Sequence, residues 1–254
     1  MLEIHPAHHA ATTWRDFFIH IATIVLGLLI AIGLEQTVER IHKHYQLRDT
    51  REALAGEMDA NRKDIQADAL HWRIEMAELE NNLLVLRYVQ QYPNAPQTAL
   101  PGVLLWDQSP VVFESAVWDA AEQNGMTQLM RPEEANQNRA LYSFLALIGK
   151  QGVDDWNAYN DAARYNLVDG DPTHLSPPEL ARLTEALQFT MEKHVQVGYS
   201  LAYMHNKYPE LGSPLTFTEM DTFAHQPWRE DPVGMSAAYK LTEDRLKAAG
   251  YSDK

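Results

Sequence analysis

The strongest hydrophobic pattern in the chain is an uninterrupted apolar run, residues 17–34, which contains no Asp, Glu, Lys or Arg. As an α-helix it would be about 27 Å long, close to the thickness of the hydrocarbon core of a bilayer. Trp14 precedes the run, where an indole ring suits the membrane interface. A core helix would carry a polar stripe, and a signal peptide a basic start and a cleavage site. We therefore predict a retained transmembrane helix over 17–34, preceded by a tail over 1–16.

One face of the predicted transmembrane helix carries small and polar side chains, at His20, Thr23, Gly27 and Ala31. Steps of three and four residues keep these four on one side of a helix. Gly27 and Ala31 form a small-xxx-small pair, which lets two helices approach closely in lipid. We predict that the four residues form an association face, through which the protein self-associates or binds another membrane protein. The alternative is that Gly and Ala are simply common in membrane helices and that His20 reaches the interface.

The helix is predicted to continue beyond the membrane, since residues 35–92 contain no proline and a single glycine. Its first half has few apolar residues among its charges, which predicts a solvated stalk over 35–64 and a bundle domain over 65–254. In the second half apolar residues recur at alternating steps of four and three, at Ile65, Ala69, Trp72, Met76, Leu79, Leu83 and Leu86. Such a heptad seam packs either on a second chain or, the interpretation we favour, on later helices of the same chain.

The rest of the chain alternates between helical segments and loops rich in proline or glycine. The stretches 92–102 and 209–232 are predicted as loops. Apolar periodicity predicts further helices over 114–124, from 132 to about 167, from 177 to about 208, and over about 233–248. The predicted fold class is therefore all-α: an N-terminal transmembrane helix that continues into a long helix, followed by an irregular antiparallel helical bundle.

Local signals mark the ends of these helices. Gly125 is expected to adopt the left-handed conformation that ends the helix before it. Pro132 suits the first position of the next helix, where its missing N–H costs nothing. Ser176 and Glu179 have the spacing of a capping box at the start of the helix that follows.

Charge and composition exclude several function classes. The formal net charge is −14, so nucleic acid, whose phosphates an acidic domain repels, is not a predicted partner. Anionic lipid headgroups are repelled as well, and the domain is expected to stand off the bilayer that its helix enters. The chain has no cysteine, which excludes disulfides, thiolate metal sites and cysteine nucleophiles.

Histidine is the only enriched residue type with metal-binding chemistry, with 11 in the chain. His5, His8 and His9 cluster in the tail, and His42 and His44 follow the apolar run. Imidazoles at such short spacing can bind Zn²⁺, Cu²⁺ or Ni²⁺. No Cys or well-spaced carboxylate completes a site, and the two clusters lie on opposite sides of the membrane. We therefore predict no metal and no cofactor.

The remaining candidate sites have simpler interpretations. His194 lies on the apolar face of its helix, with His205 three turns later, and Glu192 lacks the Glu-x-x-His spacing of a di-metal bundle. We interpret His194 as a satisfied core histidine. Asp169 and Asp171 begin like a calcium loop, but the glycine and the final glutamate of such a loop are missing, which favours a turn.

No motif of a known reaction is present. The sequence lacks a nucleophile elbow, a P-loop and a dinucleotide-binding fingerprint, so no enzymatic activity is predicted. The aromatic segment 217–228 could line a ligand pocket, although rings of this kind also cover the end of a bundle.

Two stretches carry a resemblance: WRDFFIHIATIVLGLLIAIGLEQTVERIHKH, residues 14–44, and AVWDAAEQNGMTQLM, residues 116–130. Together they resemble a family of uncharacterised bacterial single-pass membrane proteins with an anchor of this type and a helical soluble domain. The resemblance implies a bacterial inner-membrane location and a helical fold, and it implies no reaction. More distant relatives look more basic before the anchor, which would place the domain in the periplasm.

The side of the membrane stays open at this point. Arg40, Lys43, Arg48 and Arg51 follow the apolar run and only Arg15 precedes it, so the positive-inside rule favours a cytoplasmic domain, against the resemblance.

Our leading hypothesis is a non-enzymatic, membrane-anchored helical protein with a scaffold or assembly role, which acts through protein–protein contacts and self-associates. A small-molecule or stress-sensing domain coupled to a partner is the first alternative. A histidine-dependent metalloenzyme is the second.

Overall fold

The computed structural model describes residues 14–165 and 171–224, together with 240, 242, 244, 247 and 248. Within these residues the ordered elements are all helical, without a strand, which confirms the predicted all-α class. Short 3₁₀ turns lie between the main helices. The helices are α1 (Trp14–Gln91), α2 (Ala116–Gln123), α3 (Pro132–Ala163), α4 (Pro177–Lys207) and α5 (Phe217–Ala224).

Helix α1 is continuous from the apolar run into the folded domain. Its 78 residues correspond to about 117 Å, and the predicted continuation into a long helix is confirmed. The most apolar window of α1 has a mean hydropathy of 2.6, and none of it is buried against the other described residues. By length and composition this is the one helix of the described residues that could cross a membrane.

The heptad seam of α1 packs inside the same chain. All seven of its residues, from Ile65 to Leu86, are buried in a core shared with α3 and α4. Trp72 meets His194, and Gln90 meets Thr184, so α4 runs antiparallel to α1. The interpretation that the seam is covered by the chain's own helices is confirmed. Burial on α1 begins earlier, at Leu47, inside the range predicted as a stalk.

Helices α3 and α4 form the antiparallel second layer. Asp155 contacts His194, and Phe144 stacks edge-on against Tyr203, so the two helices approach each other along most of their length. The predicted capping box at the start of α4 is present, since the side chain of Glu179 accepts from the backbone N–H of Ser176 at 2.8 Å.

The first turn of α2 is hydrogen-bonded to the carboxylate of Glu57, a residue of α1. Glu57 is buried, and its two oxygens accept hydrogen bonds from the backbone N–H groups of Val117 (2.7 Å) and Trp118 (3.3 Å). The hydroxyl of Tyr142 donates to the same carboxylate at 2.7 Å, and its ring stacks on Trp118. Glu57 thus supplies acceptors to the free amides at the start of α2, as a capping residue would.

The end of α2 follows the sequence signal. Gly125 has a φ of 71°, which is the left-handed conformation expected from its position. The chain then turns through Met126–Leu129 and enters α3 at Pro132.

One prediction about the C-terminal part was wrong. Within 209–232, predicted as a loop, Phe217–Ala224 forms helix α5, while residues 225–232 lie outside the described residues. Thr216 accepts from the backbone N–H of Glu219 at 3.2 Å, a cap that fits the Thr-x-x-Glu pattern of the sequence, and Met220 is buried. Arg73 of α1 then holds Glu219 at 2.6 Å. Most of the helix predicted over 233–248 also lies outside the described residues.

The close approach of α1, α4 and α5 depends on Gly198. A Cβ atom at this position would lie 2.5 Å from Cζ2 of Trp72 and 2.7 Å from the terminal methyl of Met220. The substitution Gly198→Ala is therefore expected to lower the free energy of unfolding by about 1–3 kcal/mol, as overpacked cores do.

Urea unfolding followed by tryptophan fluorescence measures this change. Gly56→Ala is the matched control, because nothing lies within 4 Å of a Cβ at Gly56. The free energy of unfolding of that variant should rise by about 0.5–1 kcal/mol, because alanine has a higher helix propensity than glycine. Equal effects of the two substitutions would contradict the packing described at Gly198.

Candidate functional site

The most unusual feature of the bundle is the segment 103–115, which contains neither helix nor strand and lies along α1. Asn82 exchanges two hydrogen bonds with the backbone of Leu105, at 2.7 and 2.8 Å. Asn61, three heptads earlier on α1, exchanges two with the backbone of Glu114, at 2.9 and 2.7 Å. The two contact points are about 31 Å apart along the helix and only nine residues apart along the segment. The segment must therefore be nearly fully extended and antiparallel to α1.

A polar stripe on α1 makes this arrangement possible. Asn61, Asp68, Glu75 and Asn82 recur every seven residues, and the same line continues in both directions with buried apolar residues. Glu75 accepts from the backbone N–H of Ser109 at 3.0 Å, midway between the two asparagines. An extended chain without a neighbouring strand has no ladder partners for its peptide groups, and here side chains of the helix supply some of them.

His194 of α4 lies beside this stripe with both ring nitrogens engaged. Nδ1 is 2.7 Å from Oδ2 of Asp155, and Nε2 is 2.9 Å from the backbone oxygen of Trp72. The indole N–H of Trp72 donates to the backbone oxygen of His194 at 2.8 Å, and the two rings stack with an interplanar angle of 3°. Helices α1 and α4 are therefore joined by two reciprocal hydrogen bonds between side chain and backbone, and by the stacked rings of Trp72 and His194.

The hydrogen-bond partners of His194 determine which of its ring nitrogens carry protons. A carbonyl oxygen only accepts, so Nε2 must carry a hydrogen. The contact between Nδ1 and Asp155 then holds one more proton, shared between an imidazole and a carboxylate. Burial alone would lower the pKa of His194, but Asp155 and Glu75 raise it above its ordinary value.

Further carboxyls surround this pair. Oε2 of Glu75 is 3.9 Å from Nδ1 of His194, and Gln108 donates to Oδ2 of Asp155 at 2.8 Å. Burial raises the pKa of Glu75 to about 7 and that of Glu78 to about 8, and it raises the pKa of Asp68 to about 7. We refer to Asp68, Glu75, Glu78, Asp155 and His194 as the acidic cluster.

Several oxygens of the acidic cluster lack partners. Glu78 is 2% exposed and Asp155 is 3% exposed. Within the described part of the chain, both carboxyl oxygens of Glu78, Oδ1 of Asp155 and Oδ2 of Asp68 make no hydrogen bond. The backbone amide of Asp107 lies close enough to Glu78 to lower its pKa slightly, without reaching hydrogen-bond geometry. Charged carboxylates in this state are costly, and neutral carboxyls are not.

The cluster borders a cavity of about 10 Å³, which is the size of a single water molecule. Among the described residues no three Asp, Glu or His side chains converge closely enough to hold a metal ion. Since both nitrogens of His194 are engaged inside the protein, the imidazole is not free to act on a substrate. The interpretation of His194 as a satisfied core histidine is therefore confirmed, and the cluster is suited to storing protons.

The predicted association face is exposed on α1. His20, Thr23, Gly27 and Ala31 all face the surroundings of the protein in the unburied part of the helix. The hydroxyl of Thr23 donates to the backbone oxygen of Ile19 at 2.9 Å, so it is satisfied within the helix. A Cβ at Gly27 would meet nothing within 4 Å. The structure places the four residues as the sequence predicts, and their role in association stays a prediction.

The other candidate residues do not come together. His42 and His44 are exposed on α1, and His5, His8 and His9 lie outside the described residues. His205 is exposed rather than buried with His194, and its Nδ1 is 2.6 Å from the backbone oxygen of Ser213.

The stretch that begins like a calcium loop, at Asp169 and Asp171, is predicted as a turn, and its described part forms a turn. Oδ1 of Asp171 accepts from the backbone N–H of Thr173 at 2.9 Å and from its hydroxyl at 2.7 Å. Asp169 lies outside the described residues.

Comparison with protein-family models gives no match, and comparisons with curated proteins and with solved structures give none either.

Proposed function

We propose that this chain is a membrane-tethered helical protein with a scaffold or assembly role, located in the inner membrane of a bacterium and acting through contacts with other protein chains. The observation that carries the proposal is the continuity of α1. One unbroken helix joins an apolar segment that no described part of the protein covers to the core of the bundle. Because a continuous helix is stiff, contacts made in the bilayer fix the position of the bundle, and contacts of the bundle constrain the helix in the bilayer.

Pairing through the association face is the contact that we propose first. The face is exposed, and Gly27 leaves open space against the helix backbone. In lipid, close backbone approach at small residues is a main source of helix affinity, because the hydrophobic effect does not favour one apolar contact over another. The predicted product is a homo-oligomer or a complex with another membrane protein.

The test is the double substitution Gly27→Leu and Ala31→Leu in the full-length protein. Added side chains hold the helices apart, so association is expected to fall to the monomer level in a membrane reporter assay and in light scattering of the detergent-solubilised protein. Gly33→Leu is the matched control, because Gly33 is equally open and lies about 120° around the helix from Gly27. Association that survives the double substitution would contradict the proposed face.

A sensing function is the second candidate, and the acidic cluster is the observation that favours it. Three buried carboxyls, those of Glu75, Glu78 and Asp155, and the half-buried Asp68 lie beside the imidazole of His194 where α1, α3 and α4 meet. No structural need of an all-α bundle requires such a group, and apolar residues of similar size would be more stabilising. The histidine-dependent metalloenzyme is not proposed.

A further inference from the structure

The charges that face the acidic cluster are almost all negative. Helix α1 contributes Asp68, His71, Glu75 and Glu78, the segment 103–115 contributes Asp107, α3 contributes Asp155 and the phenol of Tyr159, and α4 contributes His194. No described Lys or Arg is among the groups that influence these carboxyls. The nearest arginine along α1, Arg73, is held by Glu219 of α5. Even two charged imidazoles, those of His194 and His71, would not balance five carboxylates, so some of the carboxyls carry protons when the bundle is closed.

Protons fit the site better than a metal ion does. Oxygens of Glu78, Asp155 and Asp68 are buried without hydrogen bonds in the described structure. A proton neutralises such a group without adding volume, whereas a metal ion requires several converging ligands, which are missing among the described residues. The adjoining cavity of about 10 Å³ has room for one water molecule that could exchange those protons with solvent.

The cluster also joins separate elements of the bundle. The carboxyl group of Glu75 accepts a hydrogen bond from the N–H of Ser109, in the middle of segment 103–115. The carboxyl group of Asp155 accepts one from the side chain of Gln108, the residue before Ser109. His194 joins α4 to the backbone of Trp72 on α1. Mutual repulsion among newly charged carboxylates would therefore act on both contacts at once.

We propose that the acidic cluster is a proton-loaded latch: bound protons hold segment 103–115 and helix α4 against α1, and loss of those protons on alkalinisation loosens both. The latch makes the bundle a pH-responsive element. The latch and the association face share no residue, and the test of the latch leaves residues 17–34 unchanged, so each proposal can fail alone.

The direction of the pH dependence follows from the titrating groups. Glu75 and Glu78 have folded-state pKa values of about 7 and 8, above the ordinary 4.5, so the folded protein binds more protons than the unfolded chain between these values. The pKa of His194 is raised as well, which has the same sign. The stability contributed by the two glutamates is complete below about pH 4.5, the ordinary pKa, and is lost progressively as the pH rises to about 8.

The experiment compares the full-length protein in lipid nanodiscs at about pH 5.5 and pH 8, using urea unfolding and amide hydrogen exchange corrected for intrinsic rates. In the wild type the urea midpoint should fall at the higher pH, and exchange at Ser109 should rise about tenfold. Glu78→Gln removes one titrating group without changing its shape, so both changes should be at most about half as large. Glu52→Gln is the matched control, since Glu52 is exposed on the same helix and the variant has the same net charge.

Two results would overturn the latch. The first is a pH response that is the same in Glu78→Gln, Glu52→Gln and the wild type, which would assign it to net charge alone. The second is independent of any variant: infrared difference spectra of the wild type should show the C=O stretch of protonated carboxyls near pH 7, and their loss near pH 8. If that band is missing at pH 7, the buried protons are missing too.

Discussion

A chain that begins at residue 35 is expected to fold into the same bundle and to be recovered in solution, while the full chain is recovered with the membrane. The apolar segment 17–34 is wholly unburied, and the first buried side chain of α1 is Leu47. Removing the segment therefore takes away no core contact and exposes no core surface. Its removal does take away the only described helix that is apolar enough to cross a bilayer.

Fractionation and urea unfolding measure the two halves of this prediction. The shortened chain should be soluble, and its unfolding midpoint should match that of the full chain in detergent. A chain that begins at residue 14 is the control, because it lacks only the tail and should stay in the membrane fraction. Membrane retention of the shortened chain would show that another part of the protein holds it there, and loss of helical content would show that the bundle needs the apolar segment.

The substitution Glu57→Ala is expected to cost the bundle about 3–5 kcal/mol of unfolding free energy, the largest single effect that we predict. The carboxylate of Glu57 accepts from the amides of Val117 and Trp118 and from the hydroxyl of Tyr142. All three donors would lose their acceptor at once, in a region shielded from water. The cost of an unsatisfied buried donor is about 1–3 kcal/mol, so the losses accumulate.

Urea unfolding measures the change, and near-ultraviolet circular dichroism reports the stacked rings of Trp118 and Tyr142. Glu52→Ala serves as the control, because Glu52 lies on the same helix and is exposed. We expect that control to change stability by less than about 0.5 kcal/mol. If the two alanine variants behave alike, α2 does not depend on Glu57 for its first turn.

The contact between Glu57 and the start of α2 also helps to explain the residue types in the stretch 116–130. Trp118 is buried on Tyr142, Gly125 turns the chain in the left-handed conformation, and Met130 returns to the core. Each of these residues has a packing or backbone reason to be what it is.

Features that depend on neighbours in sequence could be predicted. The length of α1 follows from the missing prolines, and the burial of the seam follows from its spacing. The starts of α3 and α4 follow from Pro132 and from the capping box at Ser176. These signals are local because helix hydrogen bonds close within one turn.

The acidic cluster could not be predicted in the same way, because its members are brought together by the fold. Glu75 and Asp155 are 80 residues apart in the chain, and His194 is a further 39 residues away. A partial signal existed in the heptad spacing of Asn61, Asp68, Glu75 and Asn82 beside an apolar seam. Polar residues at that spacing indicate a buried polar stripe, and the segment that it binds has no helical pattern of its own.

Helix α5 was missed for a different reason. The aromatic residues of 217–228 suggested a loop, although Thr216 and Glu219 already had the spacing of a capping box. The physical cause of the helix is its buried face, with Met220 packed at Gly198 and Glu219 held by Arg73. A short helix of this kind is stabilised by tertiary contacts far more than by its own propensity.

The exposed stretch of α1 between the apolar segment and Leu47 also acts as a spacer of fixed length. Residues 35–46 are helical and unburied, and they correspond to about 18 Å of rod. In the membrane-anchored arrangement that we propose, this rod would set the height of the bundle above the lipid surface, and the far end of α1 would lie up to about 85 Å from the edge of the hydrocarbon. A proposed partner would then have to present its docking surface within this range of heights, which would select among neighbouring proteins by geometry.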